Sequence, residues 1–393
     1  MSPRSRLFVA ILSTACVGYI AVGSLLSRVW GDTSYTQLAI FNEVMRIVLE
    51  AYVEPVNLDR AMGGARLGLT EALDGDSAYL DAEEFKAYQQ GKDGDAEVGL
   101  TVSRRLGFLM VVSARAGSPA EKAGMRPGDV LKTIDAKHTR PLAAQVGQRL
   151  LRGAPGSVVK LTVLRAGESD PLDISLVREK LAPAPPKGRL LEGTTTGYLK
   201  IAEIRPQSAD DVRSELEALR KAGARDLVLD LRGVAEGSMG EAARVAELFL
   251  KGGVVAKVKG VHVGEEILKA DPARSMWDLP MATLIDHGTA GPGEIVAGAL
   301  LDASRSPLVG KRTFGRAPSQ KAVPLDEGGL VVTVAKYYTP KDNAIHGKGV
   351  EPTVPVKTVD DGDDEAEEGA TPTDVILEKA LEVLRGGEVK KAA

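Results

Sequence analysis

The stretch that most constrains the fold of this chain runs from Asp286 to Gln320. An apolar run, Met281 to Ile285, enters a turn dense in glycine, and a helix pattern beginning at Glu294 leaves it. A second strand-like run, Pro307 to Gly310, precedes another glycine turn. This order of strand, tight turn, helix and strand predicts the mouth of an α/β layer, where backbone amides and a helix N-terminus favour developing negative charge.

The same stretch resembles the active-site segments of the carboxyl-terminal processing (tail-specific) peptidases, PDZ-containing serine peptidases of bacteria and plastids. In that family the pattern is Gly-Ser/Thr-Ala-Ser-Ala-Ser-Glu-Ile, and the nucleophilic serine stands three residues before the glutamate. The corresponding residue here is Gly291. The family's lysine base lies in a Thr-Phe-Gly-Lys-Gly turn, where this chain has Arg316, and the glutamine that assists the lysine survives as Gln320.

Both replacements remove chemistry that a serine-lysine dyad needs. Glycine has no side-chain atom that can attack a carbonyl, and an arginine guanidinium cannot take a proton from a hydroxyl because it stays protonated. The resemblance together with these changes predicts a pseudopeptidase with Gly291, Arg316 and Gln320 as vestigial catalytic positions.

An active enzyme with displaced catalytic groups is the alternative. Thr289 and Ser319 are the hydroxyls nearest to these positions in sequence, and Lys311 or Lys321 could serve as a base. A nucleophile needs its base within hydrogen-bond reach, so this alternative requires a rearranged active site.

The oxyanion hole that the resemblance implies is also altered. Asp230-Leu231-Arg232 matches the end of a family strand, after which the family has a Pro-Gly-Gly loop that lends a backbone amide to the oxyanion. Here the loop contains Glu236 and Gly237, and Pro292 replaces an alanine whose amide is the other donor. One such donor is worth about 2.7 to 4 kcal/mol of the barrier, so these changes also favour loss of catalysis.

Residues from about 98 to 181 have the short alternating strands of a separate domain. The predicted strands are Leu109 to Val112, Val130 to Ile134, Val158 to Leu164 and Leu172 to Val177. The string from Gly117 to Val130, Gly-Ser-Pro-Ala-Glu-Lys-Ala-Gly-Met-Arg-Pro-Gly-Asp-Val, resembles the signature of a PDZ domain. Such domains add a peptide as a strand and hold its terminal carboxylate with backbone amides. A helix from about Leu142 to Leu151 is expected to form the second wall of the groove. The predicted peptide-binding residues are Val98, Gly99, Leu100, Thr101 and Val102, although Leu100 and Val102 also fit plain strand core.

Helix and strand patterns alternate in the rest of the chain. Tyr35 to Tyr52 and Leu58 to Leu73 predict helices, and a third is expected to open at Tyr79. Beyond a proline-rich linker, strands at Gly197 to Ile201 and Asp226 to Leu231 alternate with helices, which indicates an α/β layer. The predicted fold class is therefore α/β (α+β) and multidomain. Its parts are a signal anchor (1–30), a helical segment (31–92), a PDZ domain (93–182), a peptidase-like core (183–358), an acidic linker (359–373) and a closing helix with tail (374–393).

The N-terminal leader predicts export. Leu7 to Leu26 is uncharged and follows Arg4 and Arg6. Twenty apolar residues span roughly 30 Å, enough for a bilayer core, and no small-x-small site follows them. A retained signal anchor is preferred to a cleaved signal peptide, and the basic flank keeps the N-terminus cytoplasmic. The sequence thus predicts a bacterial envelope protein, anchored in the inner membrane with its body in the periplasm or another extracytoplasmic space.

The composition of the chain indicates which classes of partner and cofactor are not expected. The 393 residues are 44% hydrophobic and 26% charged, with a net charge of −4 and no basic cluster flanked by aromatics, so nucleic acid is not expected to bind. Cys16 is the only cysteine and the four histidines lack ligand spacing, so neither a disulfide nor a metal or other cofactor is expected. The expected partners are C-terminal peptides of exported proteins, with an active paralogue or a second copy of the chain as further candidates.

Overall fold

The computed structural model of the chain describes residues 33–91, 94–357 and 374–386. The chain divides into two compact units, residues 1–66 and 67–393. In the described part, no helix is long and apolar enough to cross a membrane. The predicted anchor at Leu7 to Leu26 and the acidic linker at 359–373 lie outside the described residues.

The helices and strands follow one another in an order that repeatedly mixes the two types. Through residue 200 they are α1 (Thr33–Ala51), α2 (Leu58–Glu71), β1 (Ala78–Leu80), α3 (Ala82–Gln90), β2 (Leu100–Arg105), β3 (Phe108–Ala114), α4 (Pro119–Lys122), β4 (Val130–Ile134), β5 (Lys137–His138), α5 (Ala144–Leu150), β6 (Val158–Leu164), β7 (Leu172–Val177), β8 (Lys187–Leu190) and β9 (Thr196–Lys200). Beyond it they are α6 (Ser208–Lys221), β10 (Asp226–Asp230), α7 (Met239–Glu247), β11 (Gly253–Gly260), β12 (Gly264–Ala270), β13 (Met281–Ile285), α8 (Pro292–Asp302), β14 (Leu308–Gly310), β15 (Pro318–Leu325), β16 (Gly328–Tyr338), β17 (Val354–Pro355) and α9 (Val375–Leu384).

The first two helices agree with the sequence prediction, but the expected helix start at Tyr79 is wrong. Tyr79 lies in β1, which pairs antiparallel with β16, and α3 begins only at Ala82. A capping box sets this start, because the Asp81 side chain accepts from the Glu84 amide at 2.8 Å and Glu84 accepts from the Asp81 amide at 3.2 Å. The pairing of β1 also places this part of the predicted helical segment in the second unit.

The PDZ region forms one sheet in the order β2-β3-β4-β6-β7, with β5 beside β4. The predicted strands at Val130 to Ile134, Val158 to Leu164 and Leu172 to Val177 are confirmed to the residue. Apolar side chains on one face of this sheet pack against Ala144 on α5 and Leu151 just after it. This packing holds α5 alongside β2, as the two walls of a groove require.

The core contains a second sheet in the order β17-β14-β13-β10-β9-β8, parallel except for the β8–β9 pair. Side chains of β10 alternate between its two faces: Leu227 and Leu229 pack with α6, α7 and α8, whereas Val228 packs on the side covered by α9. Because β10, β13 and β14 are parallel, their carboxyl ends lie at the same edge of the sheet. The altered catalytic elements follow these strand ends.

A third sheet, β1-β16-β11-β12 with β15 also paired to β16, was missed in part by the sequence analysis. The hairpin of β11 and β12 has charged residues such as Lys257, Lys259, Glu265 and Glu266 and therefore lacks the apolar runs typical of buried strands. Gln320, for which the sequence predicted no secondary structure, lies in β15.

Candidate functional site

The nucleophile position stands on a sharp turn between β13 and α8. Gly291 is the N-cap of α8 and has φ 49° and ψ −111°, a conformation that residues with a side chain rarely adopt. A Cβ built at this position would lie 3.3 Å from the Arg316 carbonyl oxygen, 3.3 Å from Met239 Cε and 3.6 Å from the Ala235 carbonyl oxygen. The turn is thus shaped to aim a side chain between two neighbouring loops, but the chain supplies none.

Glu294 joins the two altered turns, a role that the sequence analysis did not assign. Its buried carboxylate accepts hydrogen bonds from the amides of Gly291 at 2.9 Å, Gly315 at 2.7 Å and Arg316 at 2.8 Å, and from the Thr313 hydroxyl. Burial raises the pKa of Glu294 to about 7, although these hydrogen bonds act in the opposite direction. The carboxylate therefore fixes the nucleophile turn against the turn that carries Arg316.

Arg316, at the base position, forms an ion pair with Asp76, a residue that no sequence motif marks. Arg316 Nε lies 2.7 Å from Asp76 Oδ1, and Asp76 is 3% exposed. The backbone carbonyl of Asp76 also accepts from the Gln320 side-chain amide at 2.7 Å and from that of Gln145 at 2.8 Å. Asp76 thus stabilises the guanidinium and links it to Gln320 and α5.

The altered oxyanion loop contacts the PDZ region. Glu236 Oε1 accepts from the Thr101 hydroxyl at 3.0 Å, and the Glu236 carbonyl accepts from the Ile204 amide at 3.2 Å. Burial of the carboxyl group raises the pKa of Glu236. The rest of the residue is exposed to solvent. Gly237 has φ 129°, and a Cβ there would lie 1.7 Å from the Ile204 carbonyl oxygen, so only glycine fits.

Two backbone carbonyl groups lie close to the nucleophile position. Pro292 is the first residue of α8 and has no N–H to donate. The carbonyl oxygens of Arg316 and Ala235 lie 3.3 Å and 3.6 Å from a Cβ built at Gly291. An oxyanion is stabilised by hydrogen-bond donors, and neither these two carbonyl groups nor the nitrogen of Pro292 can donate to one.

The hydroxyls considered as replacement nucleophiles lie in different settings. The Thr289 side chain is fully buried, and its Oγ1 lies 3.0 Å from both the Leu231 carbonyl oxygen and Asp286 Oδ1 and accepts from the Asp286 amide at 3.1 Å. Ser319 lies on β15 beside a register irregularity, and Lys321 is exposed on the same strand. The Thr289 hydroxyl is therefore committed to holding its own turn.

One histidine lies behind the Arg316 turn. His346 Nδ1 accepts from the Ala317 amide at 3.3 Å, and burial lowers the pKa of His346. Within the described ranges, no group of three or more His, Cys, Asp or Glu side chains is placed to hold a metal ion.

The predicted peptide-binding strand and part of the altered site share one groove. The carbonyls of Val98 and Gly99 accept from the amides of Ala120 at 3.0 Å and Arg115 at 2.8 Å. Between β2 and α5 lies a groove of about 350 Å³, whose lining includes Thr101, Val102, Gln148, Glu236, Arg316 and Gln320. Gly291 and Pro292 are buried and do not line this groove, so the structure brings together only some of the predicted residues.

Comparisons with known proteins agree with this architecture. The family model for peptidase family S41 matches residues 195–356, and a PDZ domain model matches residues 110–165. The carboxy-terminal processing protease CtpA of Bacillus subtilis is 30% identical, over 99% of this chain and 87% of that protein. A carboxy-terminal-processing protease of Bartonella bacilliformis is 31% identical, over 83% of this chain and 76% of that protein.

A solved structure shows the same fold. The photosystem II D1 C-terminal processing protease superposes with a TM-score of 0.69 at 27% identity, covering 86% of this chain and 92% of that one. The predicted fold class and family resemblance are confirmed by these matches. The chain belongs to peptidase family S41, among the carboxyl-terminal processing serine peptidases.

Proposed function

We propose that this protein is a catalytically inactive family member that binds peptide C-termini through its PDZ domain. The observation that carries the proposal is the pair of changes at the dyad, where Gly291 has no side chain and Arg316 is bound to Asp76. A guanidinium carries only hydrogen-bond donors, so it cannot act as a general base.

The surroundings of the dyad support the same proposal. Restoring a nucleophile alone would leave Pro292 without an amide to donate and the Ala235 carbonyl facing the reacting atom. The PDZ sheet and α5 are complete, so the parts that would recognise a peptide are retained. Loss of catalytic groups beside an intact peptide-binding fold is what a binding protein derived from a peptidase would have.

We further propose that the protein acts outside the cytoplasm. The leader from Leu7 to Leu26 supports anchoring in the bacterial inner membrane with the body in the periplasm. Its ligands would then be C-terminal peptides of exported proteins, and an active paralogue or a second copy of the chain would be a natural partner.

Binding to free and amidated peptides tests the proposal. Peptides with an apolar last residue and a free carboxylate should bind the soluble body, residues 31–393, and the amidated versions should bind much less, because backbone amides hold a terminal carboxylate. Fluorescence anisotropy with labelled peptides gives both affinities. Equal affinity for the two forms would refute carboxylate capture, and no binding at millimolar peptide would refute the binding function.

An active enzyme that uses Thr289 or Ser319 is the competing function. The hydrogen bonds of the buried Thr289 hydroxyl count against that residue, because an attacking hydroxyl must reach both substrate and base. Cleavage that depends on either hydroxyl would favour this alternative.

A further inference from the structure

Gln148 on α5 makes two hydrogen bonds to the backbone of β2. Its Oε1 accepts from the Val102 amide at 3.1 Å, and its Nε2 donates to the Leu100 carbonyl oxygen at 2.7 Å. Both backbone groups therefore point toward α5, on the side of β2 that is not paired with β3. One side-chain amide satisfies the donor and the acceptor that this edge of the strand exposes.

These two groups are the ones that an added peptide strand would need. Strand addition pairs the main chain of the ligand with the free N–H and C=O groups of an edge strand. A glutamine amide presents one carbonyl acceptor and an N–H donor, as a peptide group does. In this structure, Gln148 thus occupies the hydrogen-bonding groups that the backbone of a ligand would use.

The surroundings allow Gln148 to move while β2 stays in place. Gln148 is half-buried and borders the groove of about 350 Å³, which gives its flexible side chain room to turn away. Leu100 and Val102 are only 3% and 2% exposed, and the Thr101 hydroxyl is bonded to Glu236 at 3.0 Å. Opening the edge therefore requires a change in one side chain on α5 rather than a shift of the strand.

We infer that Gln148 is an internal competitor for the peptide ligand, so that a peptide binds β2 only by displacing its amide. This inference rests on the proposed peptide-binding function. It implies that the groove selects extended segments that replace both hydrogen bonds, and that the native affinity is weaker than the open groove would give. Ligands that fill the groove without pairing to β2 would leave Gln148 in place.

Replacement of Gln148 measures the competition. Gln148→Met keeps the length of the side chain but removes both hydrogen bonds, and Gln148→Ala removes the side chain. Both variants should bind a labelled free-carboxylate peptide with an apolar last residue about 10-fold more tightly, a difference of about 1.4 kcal/mol. Gln145→Met is the matched control, because Gln145 lies on the same helix and border of the groove but donates to Asp76 instead of β2. Gln145→Met should not tighten peptide binding, since Gln145 makes no hydrogen bond to the edge of β2.

Hydrogen exchange gives a second readout that needs no peptide. In the free protein, Gln148→Met should expose the Val102 amide and speed its exchange, whereas Gln145→Met should not. Slow exchange should return when peptide is added to Gln148→Met.

The outcomes separate the inference from the proposed function. Equal and measurable affinities for the wild type and Gln148→Met would overturn the inference while leaving peptide binding intact. Absence of binding to every variant would overturn the proposed function. Unchanged exchange at Val102 in Gln148→Met would overturn the inference whatever the peptide does.

Discussion

Restoring the two dyad residues should not restore the enzyme. Gly291→Ser supplies a hydroxyl, but at φ 49° and ψ −111° a side chain adds strain of about 1 to 3 kcal/mol. Its Cβ would also lie 3.3 Å from the Arg316 carbonyl oxygen and from Met239 Cε, so both neighbours must yield slightly. The variant should fold with a free energy of unfolding lowered by about that amount, as should Gly291→Ala, the control that has the strain without the hydroxyl.

Arg316→Lys should give a poor base because the new amine would lie close to the Asp76 carboxylate. The guanidinium now lies 2.7 Å from the buried carboxylate of Asp76, and a lysine amine in its place would be close to the same charge. An opposite charge within about 4 to 6 Å raises the pKa of an amine by roughly 1 to 3 units, which keeps it protonated. Asp76→Asn should remove this effect while retaining the backbone carbonyl that Gln320 contacts.

The oxyanion donors set the remaining barrier. Each missing donor is worth about 10²- to 10³-fold in rate, so Pro292→Ala and Glu236→Gly should each add a measurable increment to the double variant. The assay is hydrolysis of an unfolded protein with an apolar C-terminus, run on the stepwise series and followed by mass spectrometry. Full activity from Gly291→Ser and Arg316→Lys alone would show that the donors and the role of Asp76 have been misassigned.

Three further predictions concern stability. Asp76→Asn should lower the free energy of unfolding by about 1 to 3 kcal/mol in chemical denaturation, less than for a fully buried ion pair because the Arg316 side chain is 26% exposed; an unchanged value would show that the pair contributes nothing. Because the pKa of Glu294 is raised to about 7, protonated Glu294 stabilises the fold below about pH 4.5, and this contribution of about 3 kcal/mol is lost as the pH rises to 7. The free energy of unfolding of the wild type should therefore fall over this pH range relative to that of Glu294→Gln. Parallel plots of the two free energies against pH would contradict the prediction. Gly237→Ala should cost about 3 kcal/mol or more because of the Ile204 carbonyl, whereas Gly240→Ala on α7 should be neutral or slightly stabilising; similar melting temperatures for the two would contradict the steric argument.

The sequence predicted the elements of the fold where their signals are local. Strands such as Val158 to Leu164 and the helix after Gly291 were predicted because apolar runs, glycine turns and family motifs lie within a few residues of one another. The hairpin of β11 and β12 was missed, since strand pairing rather than apolar content defines it. The start of α3 was misplaced because the pairing of β1 with β16 joins residues about 250 positions apart.

The candidate site was predictable only as far as the motifs reach. Gly291, Arg316 and Pro292 were identified by their position in family patterns, whereas Asp76 lies 240 residues before Arg316 and carries no motif. Glu294 served as a marker in the pattern, but its bonds to two turns depend on how those turns fold together. The contact of Gln148 with β2 likewise depends on the packing of α5, which periodicity does not specify.

The most direct test of the central claim is whether the protein hydrolyses a peptide bond at all. The soluble body should be incubated with an unfolded protein that ends in an apolar residue, beside Thr289→Ala and Ser319→Ala variants, and the products followed by intact mass. We expect the substrate mass to stay unchanged over time with all three proteins. Time-dependent cleavage by the wild type that either variant abolishes would contradict this expectation and assign the protein a rearranged active site.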